Sequence, residues 1–218
     1  MKKVILSLAL LVSAAGAANA QGPKYGLKGG FNGSTFSGTN SSGSEYKAGF
    51  AAGGFLNFSL SENLSVQPEL LYSQKGASID GVTYITGTPT APVIKTDGTG
   101  KTTLGYLDVP IMFRYATGDD GQGLFFEAGP QGSFVINQRS FLEDGGGKQI
   151  GSSSTSTDDL KKVVLGYVAG LGYQLTSGLG LGIRYTGDVT QVEKDAVGAS
   201  NIRNSVFQFQ VGYAFGGK

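Results

Sequence analysis

The chain has 218 residues, with 17 Lys and Arg against 16 Asp and Glu, and neither His nor Cys. That balance excludes the basic surface of a nucleic-acid binder. The missing residue types exclude disulfides, thiolate or imidazole metal sites, and Ser-His-Asp or Cys-His catalysis.

Taken in chain order, Lys2 and Lys3 precede a short apolar run, Val4 to Val12, and an Ala18-Asn19-Ala20 cleavage signal. This predicts a secretory signal peptide over 1–20 and one mature domain over 21–218. Removal of two lysines leaves 15 basic against 16 acidic side chains, a net charge of −1. The apolar run is too short to cross a bilayer as a helix. Without Cys, the mature chain carries no lipoprotein anchor. No later segment reads as a membrane helix, so any span must be built from strands.

Eight segments then alternate apolar and polar residues with period two. The first, 24–33, places Tyr25, Leu27 and Phe31 on one face and Lys28, Gly30 and Asn32 on the other. The second, 46–60, aligns Tyr46, Phe50, Leu56, Phe58 and Leu60. The third, 63–76, opposes Leu64, Val66, Leu70 and Tyr72 to Gln67, Glu69, Ser73 and Lys75. The fourth, 102–116, opposes Leu107, Val109, Ile111, Phe113 and Tyr115 to Tyr106, Asp108 and Arg114. The fifth, 123–136, opposes Leu124, Phe126, Phe134 and Ile136 to Glu127, Gln131 and Ser133. The sixth, 161–175, and the seventh, 178–190, continue the pattern, the latter with Arg184, Thr186 and Asp188 on the polar face. The last, 205–215, aligns Phe207, Phe209, Val211, Tyr213 and Phe215 against Gln208 and Gln210. An apolar outside around a polar inside is the inverse of a soluble barrel and suits a strand in an outer-membrane barrel. A soluble lipocalin-like barrel would leave the charged faces in water. The 37 Gly exceed the usual share of roughly 7%, but they sit within these alternating runs rather than in a disordered tract.

Short and long connections alternate. Ser61-Glu62-Asn63, 117–122 and Thr176-Ser177-Gly178 are short; 34–45, 77–101, 137–160 and 191–203 are long and rich in Gly, Ser, Thr and Asp. The reading is an all-β, eight-stranded antiparallel up-and-down transmembrane barrel with short periplasmic turns, long mobile outer loops and both termini in the periplasm of a Gram-negative cell. Tyr25, Phe58, Tyr115, Phe126, Tyr173, Tyr213 and Phe215 form the expected periplasmic girdle, and Tyr46, Tyr72, Phe134 and Tyr185 the outer one. An eight-stranded lumen is filled by side chains. The predicted lumenal network is Lys28, Glu69, Asp108, Arg114, Glu127, Arg184 and Asp188. Closing Leu175 on Leu179 sets Arg184 opposite Gly170 and Asp188 opposite Gly166. Pairing Tyr115 with Leu124 makes Arg114 a diagonal neighbour and ion partner of Glu127.

Pro68, Pro110 and Pro130 fall inside these strands, where bulges or local unpairing must accommodate them. Around them, Gln67-Pro68-Glu69-Leu70-Leu71-Tyr72-Ser73-Gln74-Lys75-Gly76 and Tyr106-Leu107-Asp108-Val109-Pro110-Ile111-Met112-Phe113-Arg114-Tyr115 resemble PorT-like, "porin family" outer-membrane barrels of Bacteroidota type. Gly26-Leu27-Lys28-Gly29-Gly30-Phe31-Asn32 and Phe126-Glu127-Ala128-Gly129-Pro130-Gln131 add to the resemblance, which covers nearly the whole mature chain. It implies an eight-stranded barrel and no reaction. Gly216-Gly217-Lys218 extend past the last aromatic, where family members often end closer to it.

The functional expectation is an integral barrel with a structural role in the cell envelope that presents surface loops. The alternatives are a small-solute channel and an accessory part of an export machine. No enzyme and no cofactor are expected, since Asp119-Asp120, Glu143-Asp144 and Asp158-Asp159 all lie in turns or loops. The expected partners are outer-membrane lipid, lipopolysaccharide and, during insertion, the barrel-assembly machinery; the barrel is expected to be a monomer.

Overall fold

The computed structural model describes residues 22–39, 41, 43–86, 94–192 and 201–216. The predicted signal peptide lies outside them. Nine strands form one antiparallel sheet: β1 (Lys24–Ser37), β2 (Ser44–Ser59), β3 (Leu64–Thr86), β4 (Ile94–Ala116), β5 (Gly123–Asp144), β6 (Gln149–Ser154), β7 (Val163–Gln174), β8 (Leu179–Asp188) and β9 (Arg203–Phe215). The order is β4-β3-β2-β1-β9-β8-β7-β5-β6, and pairing of β4 with β5 closes the ring. Eight strands make the up-and-down barrel. β6 pairs only with the far end of β5, between Ser140 and Glu143, on the edge that β7 leaves beyond Phe134.

The barrel is inside-out. Phe31 is 76% exposed on the outer surface, whereas Tyr106 is 0% exposed in the lumen. Leu27, Phe113, Leu165, Ile183 and Phe209 extend the exposed apolar belt. In water such a surface costs about 25 cal/mol per Å²; in lipid it costs nothing. Phe58 departs from the predicted girdle, being buried at 8% exposure.

Two predicted loops are largely strand. β3 and β4 each run for 23 residues and β5 for 22, against 10 for β8. Segments 77–86, 94–101 and 137–144 therefore continue the sheet past the belt as a tall wall on one side of the barrel. Residues 87–93, between β3 and β4, and 193–200, between β8 and β9, lie outside the described residues.

Of the two predicted turn pairings, one is observed and one is corrected. Gly170 faces Arg184 and Gly166 faces Asp188, as the Leu175–Leu179 closure requires. Tyr115 pairs with Phe126 instead of Leu124. The 117–122 turn closes two residues further on because Thr117 N–H bonds the Leu124 carbonyl at 2.8 Å and Gly118 N–H bonds the Gln122 carbonyl at 3.0 Å. A two-residue slip preserves which face each side chain occupies. No register shift occurs at the prolines. Pairing between β3 and β4 lapses from Pro68 to Leu71, and between β4 and β5 from Pro110 to Phe113, then resumes in register. The bulges sit higher, between Tyr46 and Ala51, between Ile79 and Val82, and opposite Gly105–Tyr106.

Candidate functional site

The lumenal side chains come from inward positions on strands all round the ring. One row crosses four strands in register: Arg114 on β4 faces Glu127 on β5, Glu127 faces Gly170 on β7, and Gly170 faces Arg184 on β8. Gly170 decides what Glu127 binds. A Cβ there would lie 2.7 Å from Arg184 Cγ; its absence lets Arg184 lie across β7 and reach the carboxylate. Arg184 Nε donates to Glu127 Oε1. The predicted Arg114–Glu127 pair is therefore replaced. Arg114 donates to Gln174 Oε1 at 3.2 Å and stacks its guanidinium 3.5 Å over the Phe125 ring. Glu127 Oε2 accepts no hydrogen bond.

Glu69 is the hub. It accepts both terminal nitrogens of Arg184, each at 2.7 Å, across the lumen. It also accepts Lys28 Nζ at 2.7 Å and Gln67 Nε2 at 2.7 Å. Bidentate pairing suits the planar guanidinium and fixes its orientation. Lys28, Glu69, Glu127 and Arg184 thus form one neutral cluster with side chains no more than 8% exposed. Such burial is tolerable only because each charge is paired and hydrogen-bonded.

The other predicted members lie elsewhere. Asp108 accepts Lys75 Nζ at 3.0 Å, and the same amine donates to Ser133 Oγ at 3.2 Å and sits 4.7 Å from the Tyr106 ring centroid. Asp188 makes no salt bridge among the described residues. Its Oδ2 accepts Asn204 Nδ2 at 2.6 Å and the Asn204 backbone N–H at 3.2 Å. Asn204 also donates to the Tyr106 hydroxyl at 3.2 Å. Lys75 and Asn204 are the members that the predicted set omitted. Lys75 carried a signal, since it shares the inward parity of Glu69 and Ser73; Asn204 lies one residue before the predicted closing strand.

At the end of the barrel away from the short turns, Leu160 and Val192 pack on Leu104, Tyr106 and Val164, with Phe36 and Val135 alongside. Lys161 N–H bonds the Val192 carbonyl at 2.8 Å, and Val135 N–H bonds the Lys162 carbonyl at 3.1 Å. At the other end, Arg114, Gln67, Asn57 and Gln174 line a recess of about 80 Å³. Beyond it, a space of about 30 Å³ borders Lys28 and Glu127. A water needs about 10–15 Å³ of such space, so the gap beside the cluster has room for two or three waters and not for a wide path. No group of three His, Cys, Asp or Glu able to hold a metal occurs among the described residues.

Residues 19–192 match the family described as outer membrane protein beta-barrel domain. The fold is similar to that of Neisserial surface protein A, at 15% identity over 89% of this chain and 100% of that one, with a TM-score of 0.49. It is also similar to Ail of Yersinia pestis, solved with the heparin analogue sucrose octasulfate, at 12% identity over 88% and 99%, with a TM-score of 0.44. OprG of Pseudomonas aeruginosa follows at 12% identity over 90% and 98%, with a TM-score of 0.37. The curated proteins contain no match.

Proposed function

Because the chain belongs to the outer membrane protein beta-barrel domain family, we propose that it is a plugged barrel whose role in the envelope is structural and whose outer loops and wall make its external contacts. The observation that carries this reading is the neutral cluster of Lys28, Glu69, Glu127 and Arg184, roofed by Leu160 and Val192. A solute would have to break several buried charge-assisted bonds to pass. The strict alternation of short and long connections supports termini in the periplasm. Residues 1–20 support export by a signal peptide, and the motifs at 67–76 and 106–115 support a place among PorT-like barrels of Bacteroidota type. The closing aromatics of β9 support recognition by the barrel-assembly machinery. In this reading the barrel is a monomer in contact with outer-membrane lipid and lipopolysaccharide, and it catalyses nothing.

The test is single-channel recording of the refolded protein, residues 21–218, in a planar bilayer. The expected result is an electrically silent protein that migrates as a compact band in unheated detergent gels. Stable stepwise conductance would refute the plug and favour a solute channel.

A further inference from the structure

Above the apolar belt the outer wall changes character, and a single bulge makes the change. Phe134 and Ile136 of β5 face outward, 40% and 52% exposed. Gly105 pairs with Asn137 while Tyr106 pairs with Val135, so Ile136 is an extra residue on β5. An extra residue switches the parity of everything beyond it. From there on, Asn137, Arg139 and Phe141 stand opposite Gly105, Thr103 and Lys101. On the other side of β4, Leu107 faces Tyr72, Gly105 faces Gln74 and Lys101 faces Ser78. Opposed residues share a face, so these positions prolong the lipid-facing row of Leu107 and Tyr72.

The result is an open groove of about 710 Å³ on the outside of the barrel, whose lining includes Lys47, Lys101, Arg139, Glu143, Tyr72 and Phe141. Three cations stand against one carboxylate. Glu143 pairs with Lys101. The Arg139 guanidinium lies 5.1 Å from the Phe141 ring centroid and donates to Gln149 at 3.2 Å.

We propose that this groove binds the phosphate groups of an outer-leaflet lipid whose acyl chains lie on the belt directly below. Two features select that occupant. The cations complement phosphate, and they begin where the exposed Phe134 and Ile136 end. A soluble anion would use the first feature and ignore the second. Phe141 and Tyr72 supply flat faces for the sugar ring of a glycolipid. The proposal rests on the outer-membrane reading with loops outward.

The experiment is native mass spectrometry of the refolded protein, residues 21–218, with diphosphoryl lipid A, a dephosphorylated lipid A and soluble inositol hexakisphosphate. Diphosphoryl lipid A binds, and the Lys47→Gln/Lys101→Gln/Arg139→Gln variant binds it on the order of 100-fold more weakly, since each cation near an anionic surface contributes about 1 kcal/mol. Glu143→Gln frees Lys101 and tightens binding roughly fivefold by the same rule. All four residues line the groove, and unheated gel mobility checks that the variants fold. Equal binding by the triple variant, equal binding of the dephosphorylated lipid, weaker binding by Glu143→Gln, or equally tight binding of the soluble polyphosphate would each overturn the proposal. Orientation is read separately by labelling Thr155→Cys on intact cells with an impermeant maleimide. Binding without labelling overturns the orientation; labelling without binding overturns the site.

Discussion

Glu69 holds more of the lumen than its single charge implies. It accepts four hydrogen bonds, from Lys28, Gln67 and both ends of Arg184. Glu127 accepts one, from Arg184. Removing one partner of a buried pair costs about 3–5 kcal/mol. Glu69→Ala leaves Lys28 without its carboxylate and strips Arg184 of its bidentate partner, and is expected to cost that much. Glu127→Ala leaves the bidentate Arg184–Glu69 bond intact and is expected to cost about half as much, since one charge-assisted hydrogen bond contributes roughly 1.5–3 kcal/mol. Urea titration of the two variants in lipid vesicles measures both, and equal losses would remove Glu69 from the hub. The inward faces of Glu69, Glu127 and Arg184 were legible in the sequence because alternation with period two assigns them. Their partners were not. Glu69 and Arg184 are 115 residues apart in sequence and meet only once the ring is closed.

At the scale of elements, the strand faces read well and the loops read poorly, for one physical reason. Within the belt, one face of each strand is apolar and the other polar, so strand ends and faces show as alternation. Above the belt both faces meet water. There, segments such as Lys101-Thr102-Thr103 and Gln138-Arg139-Ser140 carry no such signature, and neighbouring strands supply the ladder instead. The same silence hid the cap, where Leu160 is one apolar residue within the polar stretch 151–162. Leu160→Ala removes its side chain from the contact with Tyr106 and Val164. Large-to-small core changes cost about 2–5 kcal/mol, and here the loss falls on a loop and leaves the ladder intact. Limited proteolysis is expected to cut within 155–162 in Leu160→Ala, to spare the wild type there, and to leave the barrel fragment resistant in both. An uncut variant loop would show that its backbone bonds alone hold the cap.

For the whole molecule, stability resides in the belt and lumen, not in the tall wall. The neutral cluster, the Lys75–Asp108 pair and the cap all involve residues outside 79–100. Replacing 79–100 with an Asn-Gly turn between Ser78 and Lys101, which already face one another, is expected to leave refolding and gel mobility unchanged; failure to refold would show that the wall nucleates the barrel. That wall also gives the molecule a front and a back. β3 exceeds β7 by 11 residues, from 23 and 12, which at about 3.3 Å per residue and a tilt near 40° is on the order of 25 Å of extra height. A large body approaching that end of the barrel from the β3–β5 side meets a parapet before it meets the mouth. From the β7–β8 side its way to the mouth lies lower. Strand length alone thus gives a nearly round barrel a compass bearing within the plane of the membrane.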